Sequence, residues 1–169
     1  MKTVTIIGFN GALASAITGM IDLFRLAGVT WARIHGEQPT AWFRTRLLTE
    51  DGEPCRCING VTLLADGSWQ DVDELGADDL LIIPTIGGPI DEVLQTNPLL
   101  IQWLSKFQTA TPGDVRVASN CTGAFLLAAA GLLDGREATT HWGFGEQFRR
   151  QFPAVNLHAD KLVTVDGPV

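Results

Sequence analysis

Nowhere in the 169 residues does an apolar run approach the roughly 20 residues that cross a bilayer, which argues against a membrane-spanning helix. Basic side chains are scarce. Twelve Lys and Arg stand against nineteen Asp and Glu, a formal net charge of −7, and no basic block is present. Phosphate neutralisation needs clustered Lys and Arg, so this segment is not expected to grip nucleic acid. Only three cysteines occur, an odd count that argues against a disulfide framework and for a reducing, cytoplasmic setting. The start MKTVTIIG has one Lys and then a β-type pattern, so it does not read as a secretory signal. Repeats, linkers and low-complexity stretches are missing too. What remains is a chain that is 46% hydrophobic and 18% charged. That is enough for the core of one ordinary domain, and it excludes intrinsic disorder. The partner expected from this balance is a small molecule.

Strand and helix signals alternate, as in a mostly parallel sheet covered on both faces. Val4–Gly8 reads as a buried strand. Ala12–Ala27 reads as a helix, with Leu13, Ile17, Met20, Ile21 and Phe24 on one face and Gly28 as its stop. Trp42–Thr49 alternates like a half-buried strand and ends at the Asp51-Gly52 turn. Cys55–Ile58 and Val61–Leu64, around Asn59-Gly60, form a small hairpin. Asp79–Pro84 is a further apolar strand and runs into the loop Thr85–Pro89. Asn97 and Pro98 open a helix through Phe107, and Pro112-Gly113 end it. Val115–Ser119 is the next strand, followed by a helix over Thr122–Leu133 that Asp134-Gly135 close. Thr140 is read as the cap of another helix containing Phe144 and Phe148, and Leu157–Val165 as a terminal strand or hairpin. A doubly wound sheet would lay a helix over that last strand, so the sequence is expected to continue in a longer polypeptide.

The most informative segment is Val117-Ala118-Ser119-Asn120-Cys121-Thr122-Gly123-Ala124-Phe125. A strand passes into a helix with Cys121 at the junction and small residues beside it, the pattern of a nucleophile elbow. Such a turn holds its junction residue in an uncommon backbone conformation and points the thiol out at the carboxyl end of the sheet. Amides at the start of the next helix would favour the thiolate and hold an oxyanion. The plainer alternative is a buried cysteine acting as a small hydrophobe. Gly87-Gly88 could supply the other half of an oxyanion or carboxylate cradle, or be a simple turn. His141, beside Trp142, could activate the thiol or act as a cap or core residue. His35 and His158 read as surface residues. Cys55 and Cys57 lack a second ligand pair, so no metal site is expected there. The tryptophans at 31, 42, 69, 103 and 142 are read as core and interface residues.

Cys121-Thr122-Gly123-Ala124-Phe125-Leu126-Leu127-Ala128, Ala130-Gly131-Leu132-Leu133-Asp134-Gly135-Arg136 and Ala138-Thr139-Thr140-His141-Trp142 resemble the DJ-1/PfpI, or class I glutamine amidotransferase-like, superfamily. Within it, they look most like the N-terminal domains of AraC-type transcription regulators, with isonitrile hydratases as close relatives. Gly19–Ala27 looks like the family's first helix, and Ile82-Ile83-Pro84 with Gly87-Gly88 like its glycine loop. The resemblance implies an α/β, flavodoxin-like three-layer sandwich over residues 1–169, with Cys121 on the elbow. It also implies a C-terminal helix-turn-helix DNA-binding domain beyond Val169. Enzymes of the superfamily carry an Asp or Glu on the first helix, which in isonitrile hydratases sits three residues before the glycine aligned with Gly19. Here that position is Ala16, and no carboxylate lies between Met1 and Met20; Asp22 is the reserve candidate.

The leading expectation is therefore a cytoplasmic, homodimeric sensing or dimerisation domain of an AraC-type regulator. Its small-molecule effector would contact Gly87, Gly88, Cys121, Thr122 and His141, and DNA would be reached only through the further domain. No cofactor is expected. The rival is an isonitrile hydratase-like or amidase-like enzyme with Cys121 as nucleophile and His141 as base. A third reading is a scaffold that only dimerises, with Cys121 a relic or an oxidation target.

Overall fold

The computed structural model describes residues 1–72, 75, 76, 79–109 and 115–169. β1 (Lys2–Ile7) leads into α1 (Ala14–Leu26), the short α2 (Thr30–Ile34) and β2 (Phe43–Thr49). The hairpin β3 (Cys55–Arg56) and β4 (Thr62–Leu63) comes next, then β5 (Gly67–Ser68) and β6 (Leu80–Ile83). α3 (Ile90–Thr96) and α4 (Pro98–Leu104) precede β7 (Arg116–Ser119) and α5 (Ala124–Ala129). β8 (Glu137–Ala138), α6 (Gly145–Gln151) and β9 (Asn156–Leu157) complete the chain.

The main sheet has five strands in the order β5-β2-β1-β6-β7, every pair parallel. β1 connects outward to β2 on one side, and β6 connects to β7 on the other. Right-handed crossovers then put α1 and the α3–α4 pair on opposite faces. Phe24 of α1 meets Phe43 of β2 edge to face at 5.2 Å. On the other side, Phe125 of α5 stands edge to face on Phe148 of α6 at 4.8 Å, both fully buried. Trp69 and Trp103 also join the core, 5.1 Å apart, whereas Trp31, Trp42 and Trp142 lie at the surface. The expected α/β sandwich with a parallel sheet is thus what the chain forms.

Several local expectations differ from the fold. β2 alternates as expected over its first part, with Arg44 exposed and Arg46 half-buried between the buried Thr45 and Leu47; only at its end, where β5 pairs with it, are the consecutive residues Leu48 and Thr49 both buried. α3 was not expected, although Pro89 before it and Asp91 and Glu92 in its first turn are ordinary helix-start signals. Asn97 does not cap α4 through its side chain; its Nδ2 donates to the Val93 carbonyl at 2.8 Å, closing the end of α3, while Pro98 holds the first turn of α4 as expected. The helix after Cys121 stops at Ala129, short of Leu133. Gly131, at φ 76°, turns the chain there, and the Leu132 amide donates back to the Leu127 carbonyl at 3.0 Å. Thr140 does not cap α6; the chain enters that helix through a 3-10 turn, Trp142–Phe144, which His141 caps as its Nδ1 accepts from the Gly143 amide at 3.1 Å. Leu157–Val165 is not a strand beyond Leu157. Its alternate apolar residues find no sheet to cover, and Leu162, Val163 and Val165 are exposed. Pro112-Gly113 lie outside the described residues.

Beyond that tail the chain folds back. The Pro168 carbonyl accepts from the Val117 amide at 2.9 Å, covering the outer edge of β7 four residues before Cys121.

Candidate functional site

Cys121 follows β7 after the single intervening residue Asn120 and opens a 3-10 turn, Cys121–Gly123, that feeds α5. Its φ is 54°, and among the described residues it is the one non-glycine with positive φ. A Cβ in that left-handed region costs about 1–2 kcal/mol, so the surroundings must hold it there. They do so with a ring of hydrogen bonds. The Asn120 amide donates to the Ile83 carbonyl at 2.9 Å, and the Gly123 amide to the Asn120 carbonyl at 2.9 Å. Thr122 Oγ1, buried, donates to the Ile86 carbonyl at 3.0 Å. Thr140 Oγ1 donates to the Cys121 carbonyl itself at 3.1 Å. Thr85 Oγ1 reaches both oxygens of Asn120.

Gly123 is needed for the close approach of this turn to β6. A Cβ on it would lie 2.6 Å from both the Ile83 and Pro84 carbonyl oxygens. Backbone atoms at that distance cannot yield as a flexible side chain can. The result is a half-buried thiol at the carboxyl end of the sheet, neither entombed nor free.

Because β6 pairs with β7, with Ile83 opposite Ser119, the loop carrying Gly87 and Gly88 lies beside the elbow. Thr122 joins the two through Ile86. The Gly87 and Gly88 amides donate to the Gly11 carbonyl, at 2.8 and 3.2 Å, and so tie the β6 loop to the loop after β1. Ile58, at the hairpin turn, packs directly on this loop: a Cβ at Gly87 would fall 2.5 Å from its Cγ2.

His141 is exposed and stacks on Trp142 with ring centroids 5.4 Å apart. A neutral ring whose Nδ1 accepts from Gly143 carries its proton on Nε2. The chain brings this histidine to the elbow's vicinity through its neighbour Thr140, and the position of Thr140 is what sequence reading missed. The run Thr139-Thr140-His141 held the signal, since a threonine hydroxyl can bond a distant carbonyl as readily as cap a helix. Ala16 is half-buried in α1, and Asp22 is exposed on the same helix.

Cys55 and Cys57 are both buried. Burial pushes the Cys55 thiol above its ordinary value; burial, with the neighbouring Cys55, pushes Cys57 up to about 11. Both therefore stay protonated at neutral pH, which is the state of inert structural thiols. Cys55 also lines a cavity of about 180 Å³ at the carboxyl ends of β1 and β2, with Asn10, Glu50, Glu53 and Trp69.

Comparison with known proteins agrees with this geometry. The DJ-1/PfpI family model matches residues 2–169. The HTH-type transcriptional regulator CdhR of Pseudomonas aeruginosa is 34% identical over 126 residues, covering 75% of this chain and 34% of that protein. The chain thus spans about a third of that regulator's length. Isonitrile hydratase of Pseudomonas putida is 30% identical over 103 residues, covering 60% of this chain and 41% of the enzyme. Among solved structures, an AraC family transcriptional regulator from Pseudomonas putida superposes with a TM-score of 0.68 at 20% identity, covering 99% of this chain and 81% of that one. With the parallel sheet, the strained cysteine between β7 and α5 and a match over nearly its full length, the chain belongs to the DJ-1/PfpI family.

Proposed function

We propose that this chain is the small-molecule-sensing or dimerisation domain of an AraC-type transcriptional regulator, cytoplasmic and homodimeric. The observation that carries this reading is the 34% identity over 126 residues to an HTH-type regulator. The first helix supports it, since Ala16 stands where related enzymes place an acid. Without a proton partner a thiol forgoes general acid–base help worth on the order of 10²–10⁴-fold. The effector, a metabolite bearing a carboxylate or amide, would bind beside Cys121 and Thr122, with Gly87, Gly88 and His141 around it. DNA would be read by a helix-turn-helix domain C-terminal to this segment in the full-length protein. Effector binding would act by favouring one dimer geometry over another, which requires that it distinguish the two.

A second reading is favoured by one observation, the half-buried thiol held at φ 54°. Cys121 would then be the nucleophile of an isonitrile hydratase-like or amidase-like enzyme. Thermal melting against a metabolite library, run beside turnover assays on isonitriles and small amides, separates the two. The sensor reading expects a saturable rise in Tm without turnover. Turnover that vanishes in Cys121→Ser would replace it with the enzyme.

A further inference from the structure

A hollow lies away from the elbow, at the edge of the sheet. A cavity of about 660 Å³ opens along the outer edge of β2, lined by Arg25 from the last turn of α1, by Arg44 and Arg46, and by Asp66, Ser68 and Asp71 on the β5 side. β5 pairs only with Leu48 and Thr49, so among the described residues no strand flanks the outer edge of β2 from Phe43 to Arg46. The cavity fills that missing length. Its volume lies within the range of small-molecule sites, on the order of 300–1,000 Å³.

Its charge is the unusual feature. In a chain with nineteen acids and twelve bases, three arginines line one hollow, Arg44 and Arg46 from one face of β2 and Arg25 from the other, and none has a carboxylate at ion-pair distance among the described residues. Asp66 and Asp71 line the same hollow, so two carboxylates stand against three guanidiniums, and the excess positive charge favours an anion there. Two of the three are also fixed in place. Arg25 Nε donates to Thr45 Oγ1 at 2.6 Å, and Arg46 Nε donates to Thr5 Oγ1 at 2.8 Å; both threonines are buried. Each bond orients a guanidinium through its Nε, and among the described residues the two terminal nitrogens have no protein acceptor. That end of the guanidinium is the fork that takes a carboxylate or phosphate through two hydrogen bonds. Of the two facing acids, Asp66 already accepts the Leu47 amide at 2.8 Å through Oδ2.

The geometry points to a second ligand site here, one that takes a small molecule carrying two or more carboxylate or phosphate groups. The site is independent of the regulator reading and of Cys121.

Citrate and inorganic pyrophosphate serve as probes, titrated at constant ionic strength against sodium chloride and followed by Tm and by calorimetry. At least one is expected to bind saturably. Arg44→Gln and Arg46→Gln should each weaken it about tenfold or more, as loss of one charge-assisted hydrogen bond would. Arg150→Gln on α6 and Cys121→Ser should leave the affinity unchanged. Arg44 is exposed and makes no internal hydrogen bond among the described residues, so its variant stays informative even if Arg46→Gln fails to fold. Binding by neither probe, or equal weakening by Arg150→Gln, would overturn the proposal. Capture of a polyglutamate peptide without either small anion would overturn it too, pointing instead to an acidic strand docked on β2.

Discussion

Cys121 occupies backbone space that ordinarily belongs to glycine, and two residues later a true glycine occupies space that admits no side chain. The two positions fail for opposite reasons, so they can be told apart by substitution. Cys121→Gly removes the Cβ that clashes in the left-handed region and keeps every surrounding hydrogen bond. It is expected to be neutral or to raise stability by up to about 1 kcal/mol, with Cys121→Val falling in the other direction. Gly123→Ala places a methyl 2.6 Å from two carbonyl oxygens and should lower stability by about 1–3 kcal/mol. Urea midpoints of the three variants check this. A clear loss in Cys121→Gly would mean that the elbow stores no strain.

The β3–β4 hairpin carries chemistry as an element rather than as a site. It turns Cys55 and Cys57 inward and lays Ile58 on the Gly87-Gly88 loop, so it braces the floor beside the elbow. Because burial raises both thiol pKa values, the folded chain keeps these protons at a pH where the unfolded chain releases them. The stability they contribute is therefore fully present below the ordinary thiol value near 9 and is lost as pH rises toward about 11. Urea midpoints measured across that alkaline interval should fall with pH. The fall should be shallower in Cys57→Ala, and an identical slope in that variant would remove Cys57 from the explanation. Helix lengths belong to this scale as well. α5 ends where Gly131 turns the chain, and the signal stood in the sequence as a glycine inside an Ala- and Leu-rich run. The Ala- and Leu-rich run favours helix on both sides of that glycine, but the positive φ of Gly131 ends it.

For the whole molecule, the net charge of −7 sets an expectation that the regulator reading sharpens. The segment by itself should not retain duplex DNA even at low salt, where counterion release is most favourable. Fluorescence anisotropy with a labelled duplex tests this directly, and salt-sensitive binding by this segment alone would refute it. Arg44 and Arg46 on β2, with Arg25 on α1, are local exceptions in an acidic chain, and three arginines are too few to track a phosphate backbone.

Much of the fold was legible in the residues. Apolar strands such as Val4–Gly8, Asp79–Pro84 and Val115–Ser119, separated by helical periods, specify a parallel sheet because a strand buried on both faces must be apolar throughout. The cysteine between small residues specified the elbow, since few other local patterns fit so sharp a strand-to-helix turn. What the residues could not carry was partnership across long chain separations. That Thr140 bonds the Cys121 carbonyl, that the Gly87 and Gly88 amides turn to Gly11, and that Arg25, Arg44 and Arg46 line one hollow depend on which strands lie side by side. Local periodicity determines the elements; the order β5-β2-β1-β6-β7 determines which of their side chains meet, because only pairing between distant strands sets those distances.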